Sequence, residues 1–275
     1  MDIVKVEKEF QRVQRLEQHR LDKAINLILD GKEMNLILAE LKKLNNINAI
    51  SLQYDLNPLM AALLKNNELM VDYLLAEGAS LVASNKFGND VVNFLIDAGY
   101  QKLVRETIRK IPKLALHKNS VGKNRLMQVV GLGNLHLTQF LLASGVNKDD
   151  KDELGRTALH YNLMRQVYTE QDKEIFLLLL DLGLNPLEKD KKNLSGFEYA
   201  FDNEFVYDHL LEKGYDVEKP SKAIAKRALK EKDFERYLTE ENAEIYRNNP
   251  NPDLNLTKRP MQPQFNGPKY NAPKI

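Results

Sequence analysis

The residue types that most readily do chemistry are few in this chain, and their spacing does not assemble a reaction centre. The five histidines stand at 19, 117, 136, 160 and 209, with no His-Glu-x-x-His spacing and no two on one predicted helical face. An imidazole metal site is therefore not encoded. Cysteine is absent, which removes thiol nucleophiles, thiolate-bound zinc and disulfides together. No Ser or Thr occupies the strand-turn-helix context of a nucleophile elbow. Gly131 and Gly133 flank Leu132 between two predicted helices with no strand before them, so they form no nucleotide fingerprint. Carboxylates are scattered, and Asp149 and Asp150 are bracketed by Lys148 and Lys151, as in a solvated loop. Lys189, Lys191 and Lys192 read as a hairpin tip; Lys222, Lys226, Arg227 and Lys230 read as the wet face of a helix. These patterns imply no catalytic residue, no metal and no cofactor. The function to be expected is binding.

Charge narrows the partner. Lys plus Arg number 40 against 39 Asp plus Glu, a net of +1 over 275 residues. Nucleic acid and anionic membranes both select a basic excess that is missing here. With 43% hydrophobic residues the chain can bury a core, yet no run approaches the ~18 consecutive apolar residues of a membrane helix. Met1 to Arg20 is charged throughout and reads as no secretory signal. A cytoplasmic monomer is expected, or a protein delivered into a host cell without a cleavable signal. The Lys-, Asn- and Leu-rich, cysteine-free composition suits a low-GC bacterial source for the second case.

The elements that position these residues follow from periodicity. Gly88, Gly122 and Gly155 recur at 34 and 33 residues, and Leu59, Val92, Leu126 and Leu159 at 33, 34 and 33. Gly78, Gly145, Gly183 and Gly214 each close an apolar run of helical period. Glycine suits that place because it adopts the left-handed conformation ending a helix. Each period thus predicts a polar loop, a short helix, a tight turn and a longer helix. Repetition near this length means a stacked array.

The residues resemble the ankyrin repeat. Asp152, Gly155, Thr157, Leu159 and His160 match the opening of its pattern, and Asn57 to Ala62 followed by Glu68 to Ala79 match most of one unit. The resemblance implies an all-α, ankyrin-type helical solenoid with hairpin loops over 49–217, in repeats of about 51–83, 84–117, 118–150, 151–188 and 189–217. It also implies a structural role for His160, bonded near Thr157. Several positions depart from the pattern. Ile111 and Pro112 stand where repeat two should close on Gly. Five extra residues follow Arg165, and Asn162 replaces a small buried Ala and must find a partner. Outside the array, 1–48 reads as a helix at about 4–19 followed by a capping helix pair. The apolar stripe of the first helix (Val6, Phe10, Val13, Leu16) is expected to pack on that cap rather than form a coiled coil. Residues 218–247 read as two C-terminal capping helices. Residues 248–275, with six of the ten prolines, read as a disordered basic tail.

The family implies protein binding on a concave surface of finger loops and first helices. At its variable positions this chain offers Lys86, Phe87 and Asn89 in repeat two, and Val121 and Lys123 in repeat three. Glu153, Leu154, Arg156 and Arg165 follow in repeat four. Tyr54, and Tyr168 in the inserted loop, complete the expected contact set. Phe87 is the foremost candidate, an aromatic at a loop tip. The competing function is an enzyme hidden in the irregular ends, marked by perturbed polar groups in a pocket beside the last cap.

Overall fold

The computed structural model describes residues 3–244. Thirteen α-helices succeed one another there, and no strand occurs among the described residues. After α1 (Ile3–Leu29) and α2 (Met34–Leu41) come five antiparallel pairs: α3 (Pro58–Leu64) with α4 (Glu68–Ala76), and α5 (Val91–Asp97) with α6 (Gln101–Lys110). Then follow α7 (Arg125–Gly131) with α8 (Leu135–Ala143), α9 (Ala158–Leu163) with α10 (Glu170–Asp181), and α11 (Gly196–Tyr199) with α12 (Glu204–Glu212). The last helix is α13 (Lys222–Glu244). The first helices pack in sequence, α1 on α3, α3 on α5, and so on to α13. One continuous core runs through the stack, including Leu59, Val92, Leu126 and Leu159. The fold is an all-helical solenoid.

Local chemistry repeats with the period. Helices α3, α5, α7, α9 and α11 begin after Asn57, Asp90, Asn124, Thr157 and Ser195. These side chains satisfy amide groups that a helix start leaves open. Asn67, Asn134, Thr169 and Asn203 do the same for α4, α8, α10 and α12. Helix α6 starts at Tyr100 without a side-chain cap and ends in a short 3-10 turn, Pro112–Leu116, where the other units close on glycine. That turn carries Leu114, whose carbonyl accepts from the Arg125 Nε at 2.6 Å. The irregular second repeat is thereby tied to the third.

Both ends differ from the expectation. Residues 4–19 and the first capping helix are one helix, since nothing between His19 and Leu21 can break it. Its second half is buried through Leu21, Ala24, Ile25 and Ile28. The stripe of the first half does not pack on the cap: Val6, Phe10, Val13 and Leu16 are 52, 61, 47 and 47% exposed. At the other end α13 is a single helix with no turn among residues 230–233, which contain neither Gly nor Pro. The expected tail, 248–275, lies outside the described residues.

Candidate functional site

Each loop between helix pairs is a hairpin built on one side chain. In repeat two the Asn85 Oδ1 accepts from the Phe87 and Asn89 amides at 3.1 and 2.9 Å. Asn119 holds Val121 and Lys123 at 3.2 and 3.0 Å, and Asp152 holds Leu154 and Arg156 at 2.9 and 2.8 Å. Asp190 holds Lys192 and Leu194 at 2.8 and 3.0 Å. Short polar side chains that bond their own backbone are what such turns select.

The hairpins are also bonded to one another. Ser120 donates its amide to the Phe87 carbonyl at 2.9 Å, Glu153 to Val121 at 2.9 Å and Lys191 to Leu154 at 2.8 Å. Lys86 extends the row backward to the Asp55 Oδ1 at 3.0 Å. The close approach explains one glycine: a Cβ on Gly88, at φ +71°, would stand 2.9 Å from the Ser120 nitrogen. Equivalent residues of successive fingers therefore lie side by side. One such row is Phe87, Val121 and Leu154, ending at Lys192. Phe87 is half-buried with the Lys86 ammonium 5.0 Å from its ring centroid. Val121 is 49% exposed, and Leu154 is half-buried. The neighbouring row, Lys86, Ser120, Glu153 and Lys191, is exposed and polar.

The remaining expected contacts divide. Asn89 accepts from the Asn119 Nδ2 at 3.2 Å, so it links fingers while staying partly open. Lys123 lies 4.1 Å from the Tyr161 ring centroid on the side of the first helices. Beside it, Gln128 accepts from the Asn93 Nδ2 at 2.8 Å and donates to the Asp97 Oδ1 at 2.7 Å. Crowding by the protein pushes the Asp97 carboxyl above its ordinary range, opposed by the Gln128 bond, Lys123 and Arg125. The carboxyl remains open to solvent, which limits how far desolvation can act.

Two expected contacts are corrected. Tyr54 is buried, its hydroxyl 3.3 Å from the Asn26 Oδ1. Arg156 is fully buried: its Nε reaches the Asp190 Oδ2 at 3.3 Å and its Nη2 reaches the Tyr199 hydroxyl at 3.3 Å and the Glu231 Oε2 at 3.6 Å. The Tyr199 hydroxyl donates to Asp190 at 2.7 Å. These side chains offer a partner no surface.

The insertion is partly absorbed by the fold. Tyr168 donates to the Asn162 Oδ1 at 2.7 Å while the Asn162 Nδ2 donates to the Asp172 carbonyl at 3.1 Å, so the buried amide has its partners. Arg165 bonds the Gly131 carbonyl at 2.6 Å and pairs with Asp172 at 2.6 Å. Val167, at 62% exposure, is the accessible tip of this loop. His160 sits within the first turn of α9, its Nδ1 accepting the Thr157 amide at 3.2 Å. Burial pushes its pKa below the ordinary imidazole value, against the pull of Asp190 and Glu188.

Two groups with perturbed protonation lie near the last cap. Tyr199, pushed up by burial, is sealed between Arg156 and Asp190. Burial lowers the Lys232 pKa, and its ammonium stands 3.9 Å from the Asp202 Oδ1; Asp202 lines a cavity of about 130 Å³ with Phe201, Tyr207 and Lys219 among others. No group of three or more His, Asp or Glu able to hold a metal occurs among the described residues. No helix there is long and apolar enough to cross a membrane.

A stack of helix pairs with a backbone-bonded row of hairpins defines a repeat solenoid with a loop face. Comparison with known proteins gives that class a name. A phosphocholine transferase of Legionella pneumophila, AnkX, is 29% identical over 111 residues, 39% of this chain and 12% of that protein. An ankyrin repeat-containing protein of Treponema pallidum is 25% identical over 141 residues, 51% of this chain and 46% of that one. An ankyrin repeat protein of fowlpox virus is 30% identical over 104 residues, 38% of this chain and 18% of the viral one. No family model matches the chain. The repeats of this chain are of the ankyrin type. The matched segments span less than half of each relative. Ankyrin character supports a protein-interaction module.

Proposed function

We propose that the chain binds a partner protein along its finger row and the adjoining side of its first helices, without performing chemistry on it. The observation that carries this reading is the row Phe87, Val121 and Leu154, three apolar tips set side by side by the inter-finger amide bonds. An apolar line edged by Lys86, Glu153 and Lys123 fits an extended or helical segment with apolar residues along one side and charges at its borders. Asn89 contributes a polar group between fingers. Arg165 and Tyr168 act on this surface indirectly, by holding the loop that presents Val167. The partner, its compartment and delivery into a host cell are finer parts of the same proposal; the composition and the partial likeness to the Legionella protein support the last.

The test is affinity capture with the full chain beside a Phe87→Ala/Val121→Ala/Leu154→Ala variant of unchanged helical content. The reading requires that a specifically retained protein be lost with the variant. Undiminished capture by the variant would remove the finger row from the account.

A further inference from the structure

Two basic runs that lie far apart in the sequence meet at the last finger. Helix α13 packs on α11, and its Arg227 Nη2 donates to the Asn193 carbonyl of finger five at 2.8 Å. One turn further on, the half-buried Glu231 carboxylate stands 3.8 Å from the Lys192 ammonium. The row Phe87, Val121 and Leu154 ends at Lys192, and α13 is what adjoins it there.

The helix turns its cations away from the body. At ~100° per residue, Lys222, Lys226 and Lys230 fall in one sector of about 80°, and Arg227 lies about 60° beyond Lys230 on the side of finger five. Ala228, nearly opposite the lysines, is fully buried. The four cations are exposed, as are Lys191 and Lys192 at the finger tip. Little opposes this charge. Exposed lysines on other helices have a carboxylate three or four residues away, as Lys102 has Glu106 and Lys173 has Glu170. Lys222 and Lys226 have none at those spacings, and Lys230 has Asp233 at the far end of the row. Lysines at i, i+4 and i+8 repel one another and weaken the helix that carries them. Glu231 is drawn inward, 3.6 Å from the Arg156 Nη2.

We propose that finger five and the outer face of α13 bind an acidic peptide segment of the partner that lies along the finger row. The inference rests on the finger-row reading and adds the partner's chemistry: apolar residues over Phe87, Val121 and Leu154, then Asp and Glu over Lys192, Arg227 and the lysine row. An acidic stretch relieves the repulsion among the lysines and sets the direction in which the partner lies. Lysine is a point charge that suits carboxylates at no fixed geometry, whereas phosphate recognition favours the arginine fork. Arg227 already commits one nitrogen to Asn193. The net charge of +1 over the whole chain supplies no long-range field to draw nucleic acid or an anionic membrane.

The test uses the full chain in fluorescence anisotropy with synthetic peptides that share a leucine-rich half and carry a block of Glu or of Ser at either terminus. At low ionic strength the Glu peptide, in its better orientation, should bind about tenfold more tightly than the Ser peptide, and added salt should close the gap. Lys222→Glu/Lys226→Glu/Lys230→Glu should erase the advantage of Glu and leave the Ser peptide unaffected. These side chains are exposed, so the variant keeps the fold, which circular dichroism verifies. Phe87→Ala/Val121→Ala/Leu154→Ala should weaken both peptides alike. If it weakens neither while the lysine variant still erases the Glu advantage, the finger-row reading fails and the acidic site stands apart from it. Equal affinity for the two peptides, binding of neither, or a Glu advantage that survives the lysine variant overturns the proposal. So does displacement of the Glu peptide by duplex DNA or by anionic vesicles.

Discussion

Replacing Arg156 by Met tests the buried network with a magnitude that the structure fixes. The guanidinium faces the Asp190 carboxylate, the Tyr199 hydroxyl and Glu231, all shielded by α13. Methionine fills similar volume but leaves Asp190 charged, buried and without its cation. Breaking a buried pair in this way costs roughly 3–5 kcal/mol. Asp190 still accepts from two amides and from Tyr199, so the lower end, about 3 kcal/mol, is expected. Repeats two and three indicate the remedy, because Asn85 and Asn119 hold the matching hairpins through uncharged amide oxygens. Arg156→Met/Asp190→Asn should therefore recover most of the loss and stand within about 1 kcal/mol of the native chain. Urea unfolding followed by circular dichroism measures the sequence of stabilities, and hydrogen exchange should show the loss concentrated in α11–α13. A double variant as unstable as the single one would refute the reasoning, since position 190 then carries no charge to explain the cost and Glu231 keeps Lys192 at 3.8 Å.

Other perturbations follow from the same geometry. Gly88→Ala combines positive φ with backbone overlap at Ser120, whereas Gly145→Ala has positive φ and open space; both lose about 1–2 kcal/mol for the backbone, and Gly88→Ala should lose clearly more by thermal unfolding. Because burial lowers the His160 pKa, the unfolded chain takes up the proton first as pH falls. The stability this neutral imidazole contributes is present above pH about 6.5 and is lost below it. Melting temperatures between pH 7 and 5 should fall more steeply for the native chain than for His160→Gln, and parallel curves would exclude the effect. Deleting residues 1–15 should leave the melting temperature essentially unchanged, since residues 6–16 are exposed throughout; a drop of more than a few degrees would mean the stripe packs on the body.

Much of the array was legible because its determinants are local. A glycine of positive φ, an Asn or Asp bonding its own turn and a cap three residues before an amide all act within a few residues, so the period displays them. The ends were less legible. Splitting the N-terminal helix near His19 assumed that a change in polarity marks a break, although only Gly or Pro would interrupt it, and the exposed stripe shows that amphipathic spacing does not guarantee a partner within the same chain. Arg156 was misplaced for a different reason. The matching position holds Asn89 and Lys123 in the preceding repeats, both partly open, and it is buried in repeat four because Tyr199 and Glu231 arrive from far along the chain. A signal was nonetheless present. Asp152 with Tyr161 and Asp190 with Tyr199 repeat one spacing, the hydroxyl donating to the aspartate at 2.8 and 2.7 Å. In each case a cation of the preceding finger, Lys123 or Arg156, lies over the tyrosine ring. The contact set consequently loses Tyr54 and Arg156, and the place of Val121 in the apolar row emerges only when the fingers are seen to bond.

The central claim is that partner contact runs along the finger row. Photo-crosslinking tests it most directly, with a benzophenone amino acid placed singly at Phe87, Val121 or Leu154 and, for contrast, at Leu69 or Leu211, which are exposed on α4 and α12. The account predicts that one partner protein crosslinks from all three finger positions and from neither outer-helix position. Crosslinks to that partner from Leu69 or Leu211, with none from the fingers, would contradict it.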